Sequence, residues 1–132
     1  MTKLFAIGAL VSLGLLAALP HGARAAGGSL YTAAQATARK TAYLKSCASC
    51  HGANLSGVSG PPLKGSAAPY HGSQSVAQVY DYISGQMPLN APGSLSPKAY
   101  VSIMAFLLQQ NGHAPGKKPL TAANAQNLED II

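Results

Sequence analysis

Three stretches of the chain can be read as helices from their apolar spacing or their capping residues. Val76, Val79, Tyr80 and Ile83 fall at i, i+3, i+4 and i+7, the single buried stripe of an amphipathic helix. Ser75 precedes that stripe and Gln78 stands at N3, the arrangement of a capping box, while Gly85 is suited to close the helix. In a later stretch, Tyr100, Ile103, Met104, Leu107 and Leu108 cover more than half of a helix circumference, which predicts packing on several sides. That helix opens at Ser96-Pro97, where a proline in the first turn forfeits no helical hydrogen bond, and stops near Asn111-Gly112. An earlier helix is predicted from an N-cap at Thr32, with Gln35 as capping partner, through an alanine-rich run to about Ser46.

Between these elements the periodicity disappears. Gly52 to Ser73 and Gln86 to Ser94 are rich in Gly, Pro, Ser and Asn and show no strand alternation. The tail from His113 to Ile132 predicts one short turn near Ala122 to Leu128, with Leu120, Leu128, Ile131 and Ile132 as anchors to the body. The fold class is therefore all-α, three main helices joined by long loops. Irregular segments of that length are unusual in a compact domain unless they wrap something.

The first residues read differently. Lys3 supplies a positive start, Leu4 to Leu19 is an uncharged run, and Ala23-Arg24-Ala25 offers small residues for cleavage. This is the pattern of a secretory leader over residues 1–25, followed by one domain over 26–132. The apolar run falls short of the roughly 20 residues needed to span a bilayer, so no stable membrane insertion is expected once the leader is removed. The remainder has no Trp, a single Phe, Phe106, and six Tyr, a modest supply for building a small core unaided. Net charge is +6, but the basic residues are scattered, which argues against nucleic acid as a partner.

Both cysteines of the chain lie within Cys47-Ala48-Ser49-Cys50-His51, a C-x-x-C-H signature. A disulfide closing so short a loop would contribute little to stability, so the pair calls for a chemical explanation. In a helical turn, i, i+3 and i+4 share a face, and two thiols and an imidazole project together. That set suits thioether attachment of a haem, with His51 as the proximal iron ligand. A thioredoxin-like pair would need a βαβ context, and a structural zinc site would need four ligands where this motif offers three.

The distal side of the iron has four candidate ligands. Met104 falls on an apolar helix face and reads as core filler, and His113 follows the end of its helix and reads as solvated. Met87, ahead of Pro88 in an irregular segment that can loop over the distal face, is favoured; His71 is the rival. Methionine would raise the reduction potential relative to bis-histidine ligation.

With these residues in hand, the chain resembles class I c-type cytochromes along essentially its whole length after the leader. It looks closest to those that accompany quinoprotein dehydrogenases. The resemblance is carried by Tyr43-x-x-x-Cys47-Ala-Ser-Cys50-His51-Gly52, Gly60-Pro61-Pro62-Leu63-x-Gly65, Tyr82-Ile83-x-x-Gln86-Met87-Pro88, Pro92-Gly93-Ser94-Leu95-Ser96 and Tyr100-x-x-x-x-Ala105-Phe106-Leu107-Leu108-x-x-Asn111-Gly112. It implies a cytochrome c-like fold wrapped around one covalent haem c, thioether-bonded to Cys47 and Cys50. It also implies that the Pro61 carbonyl accepts from His51 Nδ1–H, that Leu63 lines the pocket and that Met87 is the distal ligand. Tyr43 and Phe106 would meet where the first and third helices cross. Four residues before Tyr43 the family usually has Gly; here Arg39 stands there, which puts the crossing geometry in question.

The expected function is that of a periplasmic one-electron carrier and not an enzyme, exchanging electrons with a dehydrogenase, an oxidase or another cytochrome. The competing expectation is a haem-based ligand sensor or weak peroxidase with a labile distal ligand.

Overall fold

The computed structural model describes residues 30–37 and 40–132, so the expected leader and Arg39 lie outside the described residues. The elements are α1 (Ala33–Thr37), α2 (Lys40–Ser46), α3 (Ala48–His51), a single 3-10 turn (Gly65–Ala67), α4 (Val76–Gln86), α5 (Pro97–Gln110) and α6 (Ala122–Ala125). Among the described residues there is no strand. Isolated bridges join Thr32 to Gly116 and Ser75 to Ile131.

The capping residues act as their spacing predicts. Gln35 N–H donates to Thr32 Oγ1 and Thr32 N–H to Gln35 Oε1, each at 3.2 Å. Ser75 and Gln78 close the same reciprocal box at the start of α4. Ser96 caps α5 ahead of Pro97. Each pair satisfies donors that the first turn of a helix leaves without a partner.

α4 runs past Gly85 to Gln86, so Gly85 is not its terminator. The end is set by Pro88: a residue before proline is driven out of the helical region, and Met87 is extended at φ −118°, ψ 154°. The first helix of the sequence pattern is described over α1 and α2, on either side of residues 38–39, which lie outside the described residues. In the tail, Leu120 and Ile132 are buried and Leu128 is partly so, but Ile131 is 54 % exposed. Adjacent side chains of extended backbone face opposite ways, so the bridge to Ser75 that turns Ile132 inward turns Ile131 out.

α5 is the axis of the packing, with Tyr100, Val101 and every residue from Ile103 to Leu108 buried. Its two sides serve two apolar clusters. One includes Tyr31, Val76, Val79, Tyr80, Met104, Leu108 and Leu120. The other holds Tyr43, Leu55, Ile103, Phe106 and Leu107, with the Tyr43 and Phe106 rings 5.0 Å apart between centroids and inclined at 40°. Leu63, Ile83 and Leu95 pack against both clusters. The space between the clusters is the candidate site.

Candidate cofactor site

The C-x-x-C-H motif occupies α3 and the residue before it. Cys47 accepts backbone bonds from Cys50 and His51 N–H at 3.1 and 2.9 Å, which winds the segment into one turn. The turn brings Cys47, Cys50 and His51 to the wall of one cavity of about 810 Å³. Volumes of about 300–1,000 Å³ are typical of small-molecule and cofactor pockets. Leu63, Val79, Ile83, Leu95, Ile103 and Leu107 supply much of its apolar wall, and Met87 lines it from the loop after α4.

The imidazole of His51 is 8 % exposed, and its Nδ1 lies 2.8 Å from the carbonyl oxygen of Pro61. A carbonyl only accepts, so Nδ1 carries the proton and Nε2 keeps a lone pair free for a metal. The backbone is folded tightly to achieve this. A Cβ on Gly60 would lie 2.9 Å from His51 Cε1, and one on Gly57, at φ +82°, 2.9 Å from Gly60 O. Both positions require glycine on grounds of space, a requirement the sequence reading did not extract.

Burial pushes the Cys47 thiol up to about 11, with neighbouring Cys50 adding to the rise. A reactive thiol has a lowered value, so Cys47 lacks the electrostatics of an oxidoreductase nucleophile.

The other candidate ligands are placed apart from the cavity. Met104 is fully buried in the first cluster, and His71 is exposed and absent from the cavity wall. His113, read from the sequence as solvated, is half-buried instead, and burial holds its imidazole below the usual histidine range. Its carbonyl accepts from the Tyr31 hydroxyl, which draws the segment inward.

Two further residues shape the walls. Asn111 spans the end of α5 and the Leu63–Gly65 loop: its amide nitrogen donates to Leu63 O at 3.1 Å and Leu107 O at 2.9 Å, and its oxygen accepts from Gly65 N–H at 2.9 Å. Tyr70 donates to the same Leu63 carbonyl at 2.6 Å. Asn111 reads from sequence as a helix terminator, and nothing in local spacing announces its reach back to the loop.

The residues fit a haem. Two cysteines and a histidine with a metal-competent imidazole line one cavity, Met87 lines it as well, and a flat apolar group there would join two core clusters. This is a c-type cytochrome: a helical domain that carries electrons on one covalent haem c. Residues 34–107 match the family described as cytochrome c oxidase, cbb3-type, subunit III, and the chain belongs to that family. No curated protein matches the chain. Among solved structures, the sulfane dehydrogenase SoxCD from Paracoccus pantotrophus is similar, at 28 % identity and a TM-score of 0.57. The alignment covers 87 % of this chain and 66 % of that one, so this chain spans just under two thirds of the relative's length.

Proposed function

We propose that the chain is a periplasmic one-electron carrier whose haem is tethered by Cys47 and Cys50 and ligated by His51 and Met87. In this reading residues 1–25 are a cleaved leader and 26–132 the working domain. The observation that carries it is the His51–Pro61 contact, which fixes the imidazole as a lone-pair donor at the wall of a cavity that also contains Met87. When bound, the haem supplies an iron that cycles between two oxidation states.

The chain's own residues supply the rest. The Pro61 carbonyl orients the His51 ring and fixes its tautomer. Leu63, Ile83, Leu95 and Leu107 keep water from the metal, which limits reorganisation as charge changes. Met87, which lines the same cavity, would hold the metal on the side away from His51, leaving no open position for an exogenous ligand and favouring electron transfer over sensing or peroxidase chemistry. The likeness to a dehydrogenase chain and membership of an oxidase-subunit family both support a redox protein as partner, either donor or acceptor. Among the described residues no helix is long and apolar enough to cross a membrane.

The test is a reduced-minus-oxidised spectrum and a mass spectrum of protein isolated from periplasm. A sharp reduced α band, haem retained through acid-acetone extraction and a chain starting near Ala26 plus one haem are expected. A colourless polypeptide of unmodified mass would overturn the proposal. A high-spin ferric spectrum that binds cyanide at once would favour the sensor reading.

A further inference from the structure

Tyr100 lies in the first turn of α5 and is 4 % exposed. Its hydroxyl donates to the backbone carbonyl of Met87 at 2.7 Å and accepts from Leu95 N–H at 3.3 Å. One buried side chain thus holds both ends of the Met87–Leu95 loop. The Met87 carbonyl also accepts from Gly93 N–H at 3.3 Å, and Met87 N–H donates to Ile83 O at 3.2 Å, the last helical bond of α4. Pro88 has no N–H to add. Of the groups fixing the Met87 backbone, Tyr100 is the one side chain among these bonds, and it belongs to the most buried helix of the fold.

We propose that Tyr100 is a positioning residue that keeps the Met87 thioether at the metal and thereby sets how readily the distal ligand is displaced. The inference rests on the reading of Met87 as distal ligand. The physical reason is the length of the loop. Met87 is followed by seven residues without helix or strand before Leu95, and such a segment opens locally at low cost unless rigid elements hold it. A hydroxyl on α5 ties the loop to the core at the backbone of the ligating residue itself. When the loop opens, the Tyr100 hydroxyl loses its acceptor in a buried place, an unfavourable outcome that opposes opening.

The experiment uses the haem-loaded protein and the variant Tyr100→Phe, which keeps the ring and removes the hydroxyl. The readouts are cyanide affinity of the ferric form and the pH at which the Met-to-iron charge-transfer band disappears. Expected are about tenfold tighter cyanide binding, the equivalent of one hydrogen bond, and loss of the band at lower pH. Gln35→Ala is the control for stability alone. Gln35 bonds the Leu120 backbone in both directions at 2.7 Å, away from the haem cavity, so its loss lowers the unfolding midpoint without changing cyanide affinity. Equal cyanide affinity and equal band pH in Tyr100→Phe and the wild type would overturn the inference. So would matching changes in Gln35→Ala. Met87→Ala separates the two levels of the argument: if it leaves the ferric spectrum and cyanide affinity unchanged, the ligand assignment itself is wrong.

Discussion

The carbonyl oxygen of Pro61 lies 2.8 Å from His51 Nδ1, and the glycine between these two in the turn, Gly60, passes so close that a methyl group there would meet the ring. The orientation of the imidazole is thus held by one hydrogen bond and by contact with bare backbone. Such bonds to a ligating histidine tune its basicity as well as its direction.

Gly60→Ala tests this packing. The added Cβ would lie 2.9 Å from Cε1 and 3.0 Å from Nδ1 of His51, so the ring must rotate or the turn must shift. Overpacking of this kind costs about 1–3 kcal/mol. Lower thermal stability together with a shifted reduction potential is expected, the second measured by potentiometric titration. An unchanged potential would mean that the turn yields instead of the ring.

Asn111→Ala removes the clamp between α5 and the wall loop. Bonds to Leu63 O, Leu107 O and Gly65 N–H are lost together, and the two carbonyls and the amide keep at most partial replacements. A loss of about 2 kcal/mol is expected. In urea unfolding the midpoint should fall while the slope stays constant, because the area exposed on unfolding is unchanged.

His113 gives the protein an acid-side weakness. Burial lowers its folded-state value below the ordinary ~6.5, only partly opposed by Asp130. The unfolded chain therefore binds the proton more readily, and stability falls as pH drops from above ~6.5 toward the folded value. His113→Gln should flatten stability against pH on the acid side of about pH 6.5, the ordinary histidine value, relative to the wild type. Parallel curves for the two proteins would show that the imidazole is better solvated than its surroundings indicate.

The tail secures the start of α4. Val76 N–H donates to Asp130 O and Ala77 N–H to Leu128 O, each at 2.9 Å, and Ile132 is 5 % exposed. Deleting residues 128–132 strips these donors of partners and exposes apolar surface. A loss of about 3 kcal/mol follows from an aliphatic side chain and buried amides combined. Calorimetry should show a lower midpoint, while the visible spectrum of the folded protein stays as in the full chain.

Much of the architecture was legible in the sequence because it is local. Thr32 with Gln35 and Ser75 with Gln78 mark helix starts through bonds that span a single turn, and Ser96, which accepts from Ala99 N–H, does the same just ahead of Pro97. The apolar periods named the faces that α4 and α5 bury. Where local signals competed, the reading missed: Gly85 offered a helix end, but Pro88 imposed a later one through its steric effect on Met87. Ile131 and Ile132 look alike in sequence, and only the bridge to Ser75 decides which one turns inward.

The chemistry divides in the same way. Cys47, Cys50 and His51 converge because one helical turn puts them on a face, so their spacing alone determined the kind of cofactor. The partners of the site come from further along the chain, His51 with Pro61, Met87 with Tyr100 and Leu63 with Asn111, the last two residues both reaching from α5. No period or cap encodes those pairings. The first comes from the tight turn through Gly57 and Gly60, and the other two exist because α5 and its C-cap lie against both loops, so that the position of a hydroxyl or an amide against a distant carbonyl is fixed only when helices pack.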